Sequence, residues 1–222
     1  VAYHTNLQEV HCMGRLRHFF TTPQRIAGNA PRPHLLAAWA CAPLKIGALM
    51  PSSRSLARAM AQKVDLSIPG MVVELGAGTG AVTRGLLEHI PPERLLVVER
   101  EPRLYTILHQ TFPQLKIVRA DAAELMKVLE ECGVKEVCAI VSSLPLLSMP
   151  KGIRSQIEAG MASAVAKSGN IIQFTYGPRS PIPHDRCRGL RLFGKRRQFV
   201  VSNVPPAHVW VYMHDRRGKA RP

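Results

Sequence analysis

The apolar positions in the middle of this 222-residue chain alternate between two periods. Consecutive apolar, often β-branched runs at Met71–Leu75, Leu95–Glu99, 115–119, Val137–Ser142 and 170–176 predict strands. Between them, 81–89, Pro102–Thr111, 122–131 and 152–166 repeat their apolar residues near every third or fourth position and predict helices. Strand and helix in regular alternation specify a parallel sheet covered on both faces. Two further β-rich runs, 197–204 and 207–213, flank Pro205-Pro206 and read as an antiparallel pair closing a seven-stranded, mostly parallel sheet.

The pattern differs ahead of this region. Ser52-Ser53-Arg54-Ser55 offers N-cap hydroxyls to a helix running to about residue 64. Within 8–20, Val10, Met13, Leu16, Phe19 and Phe20 are interleaved with Arg15, Arg17 and His18, the spacing of an amphipathic helix. A short apolar segment over 34–41 is stopped by Pro43. The expected organisation is a basic, partly amphipathic helical extension over 1–51, one α/β domain over 52–213 and a basic tail over 214–222.

Charge sharpens this division. Residues 1–64 sum to +7, residues 65–178 to −1 and residues 179–222 to +9, so a neutral centre lies between basic flanks suited to anionic surfaces of lipid or nucleic acid. A merely solubilising charged surface is the plainer reading. The five cysteines are odd in number and include no CxxC pair, which argues against a disulfide framework or a zinc site and fits a cytoplasmic setting with no metal. The longest apolar stretch, 35–50, is broken by Pro43 and Lys45 and falls short of the roughly 20 residues a spanning helix needs. No secretory signal pattern opens the sequence.

Candidate chemistry concentrates where the first strand turns into the first helix, the ligand position of doubly wound sheets. Gly76, Gly78 and Gly80 remove side chains there and permit positive φ. Glu74 precedes them on the strand, giving the E-x-G-x-G-x-G spacing of proteins that bind S-adenosylmethionine (SAM). Glu99 ends the second strand, where a carboxylate can accept from two ribose hydroxyls, and Asp121 follows the third, where it can accept from an adenine amino group. A dinucleotide site is the rival, since Gly76-x-Gly78-x-x-Ala81 also satisfies that fingerprint, although it leaves Asp121 without a role.

Four segments together resemble the bacterial phospholipid N-methyltransferases, which convert phosphatidylethanolamine stepwise to phosphatidylcholine and share a core with rRNA adenine dimethyltransferases. They are the Pro-Leu-Lys-Ile-Gly-Ala-Leu-Met-Pro-Ser-Ser run from Pro43 to Ser53, the glycine motif after Val73, Ser142-Ser143-Leu144-Pro145-Leu146-Leu147, and Asn203-Val204-Pro205-Pro206-Ala207. The resemblance spans about residues 35 to 213 and implies a Rossmann-like class I methyltransferase fold. It implies that Gly76, Gly78 and Gly80 line the methionine part of SAM, that Glu99 holds the ribose, that Asp121 with Ala122 serves the adenine, and that Arg100 counts among the cofactor-binding residues. Ser52 and Ser53 would close the pocket, and Ser142, Ser143, Leu144 and Pro145 would hold the target nitrogen.

The sequence departs from the RNA enzymes at two places. Ser142 stands where they have Asn, and Leu146 stands where they place an aromatic that stacks on a flipped base, a contact worth about 1–3 kcal/mol. An alkyl amine needs no such stacking, so the departure favours lipid over nucleic acid. The amine must react in its neutral form, which partial burial promotes. Tyr176, at the end of the fifth predicted strand, is the first candidate proton acceptor, with His184 and Asp185 behind it. Arg179, Arg186 and Arg188 are candidate ligands for a lipid phosphate. The apolar, basic N-terminal segments would hold the enzyme peripherally on the inner face of the cell membrane. An rRNA adenine methyltransferase and a non-catalytic lipid- or RNA-binding protein are the competing classes, the latter requiring a ruined glycine loop that this sequence does not have.

Overall fold

Three adjacent central strands of a sheet covered on both faces are apolar along nearly their whole length, and two further parallel strands flank them. In the computed structural model, which describes residues 53–215, these are β1 (Met71–Leu75), β2 (Leu95–Glu99), β3 (Lys116–Arg119), β4 (Val137–Ser142) and β5 (Val165–Thr175). They pair in parallel and are closed by antiparallel β6 (Leu192–Val200) and β7 (Ala207–His214), in the order β3-β2-β1-β4-β5-β7-β6. Alternate residues enter two cores. Val72, Val97, Val141 and Ile172 face α1 (Arg54–Ala61), α2 (Ala81–Leu87) and α3 (Pro102–Thr111) through Leu56, Met60, Leu86 and Leu108. Val73, Val98, Ile140 and Ile171 face α4 (Leu125–Glu131), α5 (Lys151–Ala164) and α6 (His184–Gly189) through Leu125, Ile157, Met161 and Cys187.

The seven-stranded fold read from the sequence is the one observed. Differences lie at its ends. β5 begins at Val165, where α5 stops, and takes over residues expected to be helical, because Val165 already pairs with Val137. β6 runs over Leu192–Val200 and not 197–204: Lys195, Arg196 and Arg197 occupy an edge strand, where charge discourages unwanted pairing, and the turn falls on 201–206. α6 was not expected; Pro183 N-caps it and its six residues are too few to show a period. The amphipathic segment 8–20, the apolar segment 34–41, the Pro43–Ser52 part of the entry motif and the tail beyond Asp215 lie outside the described residues. No described helix is long and apolar enough to cross a membrane.

Candidate active site

The carboxyl ends of β1, β2 and β3 carry the predicted donor residues. Gly76, Gly78 and Gly80 have φ of 71°, 58° and 82°, the left-handed region that L side chains avoid. The Gly76 N–H donates to Val98 O at 2.9 Å, which ties the loop to β2. A Cβ on Gly76 would stand 2.6 Å from Leu144 Cδ2 and one on Gly80 2.5 Å from Phe112 Cε2, whereas nothing lies within 4 Å of that position on Gly78. Two of the glycines therefore allow close packing, and the middle one faces open space.

Glu99 is buried beneath that middle glycine. Its Oε2 accepts from the Gly78 N–H and its Oε1 from the Glu101 N–H, both at 2.9 Å, leaving lone pairs on each oxygen for further donors. Asp121 accepts from the Ala123 N–H at 2.9 Å through Oδ1, capping the turn at Ala122–Glu124, and from Arg100 Nη1 at 3.1 Å through Oδ2. Ala122 is buried. Arg100, counted among the cofactor-binding residues, pairs with Asp121 and is otherwise largely exposed.

Glu74 is the unusual group. It is fully buried and neither carboxylate oxygen has a hydrogen-bond partner. Burial pushes its pKa up to about 8; the nearby Thr83 hydroxyl and N–H pull it down, and the Glu99 carboxylate pushes it up. The open face at Gly78, the spare lone pairs of Glu99 and an uncompensated buried acid together fit SAM, a cationic ligand bearing an ammonium and a ribose.

Ser53 closes the same end. Its Oγ accepts from the Leu56 N–H to cap α1, and its own N–H donates to Asn203 Oδ1 at 2.9 Å, so the β6–β7 turn is fastened to the start of α1. Ser52 lies outside the described residues.

The acceptor motif meets the donor loop directly. Ser142 ends β4 fully buried, and its Oγ accepts from the Leu144 N–H at 3.4 Å. The Ser143 N–H donates to Leu75 O at 2.9 Å, and its Oγ is buried without a partner. Leu144 packs on Gly76, and its carbonyl accepts from Gln173 Nε2 at 2.9 Å. Pro145 is exposed. Gln173, which sequence reasoning missed, is wholly buried and its Oε1 is unpartnered; the signal was a lone amide within Ile171-Ile172-Gln173-Phe174.

Several expectations change. Leu146 is 1% exposed and packs in the core. Tyr176 lies just beyond β5, exposed and edge-on to Phe174. The partly buried side of the ring pushes its phenol above its ordinary value, which does not favour a proton-accepting phenolate. Arg186 is engaged in structure: its Nε donates to buried Glu158 Oε2 at 3.0 Å and its Nη2 to Ser155 O, while Arg154 approaches Glu158 from the other side. That pairing removes Arg186 from the candidate phosphate ligands. Arg179 and Arg188 are exposed, as are His184 and Asp185. Among the described residues no three His, Cys, Asp or Glu side chains gather as a metal site.

No protein-family model matches the chain. Solved structures share the fold: TrmN from Thermus thermophilus superimposes with a TM-score of 0.57 at 19% identity, covering 77% of this chain and 51% of that one. A glycopeptide N-methyltransferase in complex with sinefungin gives 0.57 at 13% identity, covering 84% and 99%. Ribosomal RNA small subunit methyltransferase A from Chlorobium chlorochromatii is 42% identical, but over 50 residues, 22% of this chain and 18% of that protein. The ornithine lipid N-methyltransferase of Singulisphaera acidiphila is 31% identical over 168 residues, 73% of this chain and 85% of that protein. With the class I sheet, the glycine loop and its acids in place, a likeness of that extent makes this chain a member of the bacterial lipid N-methyltransferase family of SAM-dependent methyltransferases.

Proposed function

We propose that the chain transfers methyl groups from SAM to the primary amine of a membrane lipid headgroup, and that ornithine lipid is the preferred acceptor. The observation that carries this reading is the similarity to an ornithine lipid N-methyltransferase across most of both chains. Phosphatidylethanolamine, with methylation towards phosphatidylcholine, is the second acceptor to compare, because it too presents a primary amine on a short alkyl stem. The two differ in anion: ornithine can offer a carboxylate where phosphatidylethanolamine offers a phosphate, and the exposed guanidiniums of Arg179 and Arg188 match either.

When bound, SAM supplies the electrophilic methyl. Glu99 would accept from the ribose, Asp121 and Ala122 would border the adenine, and Glu74 would face the methionine ammonium, whose positive charge favours the carboxylate over the neutral acid. Gly78 leaves room for the ligand, and Ser53 with Ser52 closes the pocket. On the acceptor side the Leu144 carbonyl, Ser143 Oγ and Gln173 Oε1 can accept from the amine N–H bonds and aim its lone pair. Ser142 holds the bend of the motif, and Pro145 fixes its exit. The amine loses its proton to solvent as it leaves water, since desolvation favours the neutral form. Positioning of donor against acceptor then supplies the rate. Attachment through the N-terminal basic, apolar segments would place the enzyme on the cytoplasmic membrane face.

The test is methyl transfer from labelled SAM to ornithine lipid, phosphatidylethanolamine and 16S rRNA presented in parallel, the lipids in detergent micelles. Label in ornithine lipid ahead of phosphatidylethanolamine, and none in RNA, is expected. Label in RNA alone would overturn the proposal.

A further inference from the structure

The geometry points to the β6–β7 hairpin as a docking surface for an anionic lipid bilayer, an inference that rests on the lipid-acceptor reading above. One row of the sheet runs Leu75, Ser142, Gln173, Trp210, Arg196 across five strands. Arg196 therefore stands level with the acceptor motif, three strand spacings or roughly 14 Å away. A register shift between Arg196 and Gln198 puts an extra residue, Arg197, in the strand, and beyond it Phe199 stacks on His208 with ring centroids 4.5 Å apart. Arg196, Arg197, Gln198, Phe199 and His208 line an open depression of about 450 Å³. His208 Nδ1 is buried there without a partner.

The hairpin's charge has one sign. Between Leu192 and His214 stand Lys195, Arg196 and Arg197, all exposed, and no acid. Its turn is apolar: Val201 is 67% exposed and Val204 66%, the highest values among the large exposed apolar residues described. Because β7 runs antiparallel to β5 and His208 pairs with Thr175, this turn lies at the carboxyl end of the parallel strands, the end that holds the cofactor loop. Exposed Leu147 and Tyr176 follow β4 and β5 at that same end. Exposed apolar side chains beside exposed cations suit an interface with headgroups above and acyl chains below, and an anionic bilayer is the partner that satisfies both. Ser53–Asn203 and Ser55–Ser202 hydrogen bonds hold the turn against α1, so docking there would present the closed side of the cofactor pocket to the membrane.

The experiment is co-sedimentation of the full chain with phosphatidylcholine vesicles, with and without phosphatidylglycerol. Arg196→Gln/Arg197→Gln should weaken partition onto the anionic vesicles by about 25-fold, fivefold per cation, and remove most of the preference for them. Val201→Ser/Val204→Ser should weaken partition several-fold on the same vesicles. Both double variants should keep the parent's SAM affinity and its transfer to lipid in detergent micelles. Unchanged partition in both variants overturns the hairpin assignment, as does a salt-stable dimer of the parent that Val201→Ser/Val204→Ser dissociates, since a second copy would then cover the turn. Failure of the parent to methylate any micellar lipid refutes the acceptor reading and leaves the vesicle result standing on its own.

Discussion

Glu74 makes the ligand-free protein's stability depend on pH in an unusual direction. A carboxyl held at about 8 in the folded state, against 4.5 in the unfolded chain, stays protonated over a range in which the unfolded state has already ionised. The unfolded state then binds fewer protons, so stability falls as pH rises from the unfolded value to the folded one and levels off above it. With about 1.36 kcal/mol per unit, the loss between pH 5 and pH 8 is on the order of a few kcal/mol. Glu74→Gln keeps the shape and removes the titration. Urea unfolding of both proteins without SAM, across that range, should show a stability difference that shifts in favour of Gln by about that amount towards pH 8. Other groups titrate in both proteins and cancel in the comparison. Saturating SAM, whose ammonium stabilises the carboxylate, should flatten the parent's curve. A parent and variant that run parallel with pH would refute the account of Glu74 as an uncompensated buried acid.

Glu99→Gln should lower SAM affinity by about 10- to 100-fold in calorimetry, since hydrogen bonds to a charged acceptor contribute about 1.5–3 kcal/mol, and unchanged affinity would remove Glu99 from the ribose. Gly76→Ala forces a left-handed φ of 71° on a side chain whose Cβ meets Leu144 Cδ2 at 2.6 Å, so it should cost about 1–3 kcal/mol in thermal or urea unfolding and lower turnover on every acceptor. Arg186→Ala should act on stability and not on the acceptor's KM: it leaves wholly buried Glu158 facing Arg154 alone at 3.5 Å, a loss of about 3 kcal/mol in urea unfolding. A variant of parental stability with a raised KM would restore Arg186 to the headgroup site.

The donor half was legible because its signals are local. Apolar strands bounded by glycine and acid fix β1, its loop and β2 within about thirty residues, and the placement of Gly78 and Glu99 follows from strand ends alone. The closing pair was legible as a pair, although β6 was displaced because Lys195-Arg196-Arg197 reads as loop when edge position is unknown. The acceptor half is assembled from distant segments. Gln173 reaches Leu144 O across 29 positions, and Asn203 reaches the Ser53 N–H across 150, pairings that no local period announces. Arg186 looked like a free cation because Glu158, its partner, sits 28 positions earlier on a helix whose burial the sequence did not show.

The burial of Leu146 alters what distinguishes a lipid acceptor from a nucleobase. From sequence, a leucine in place of a stacking aromatic weighed against RNA; that leucine is 1% exposed and packs in the core, so it offers an acceptor no exposed surface of its own. The groups that reach solvent at the carboxyl end of the sheet are Leu147, Tyr176 and the β6–β7 turn, and discrimination can rest on them. Tyr176 alone could stack on a base, yet a base flipped from RNA also needs a cationic path for its phosphates leading to Leu144. The exposed cations of β6 lie along the sheet edge beside Phe199, Val201 and Val204, in apolar company that a phosphate backbone does not reward and an acyl chain does. The case for lipid thus moves from one missing aromatic to a surface, and it agrees with a relative matched over 85% of its length where the RNA enzyme matches over 18%.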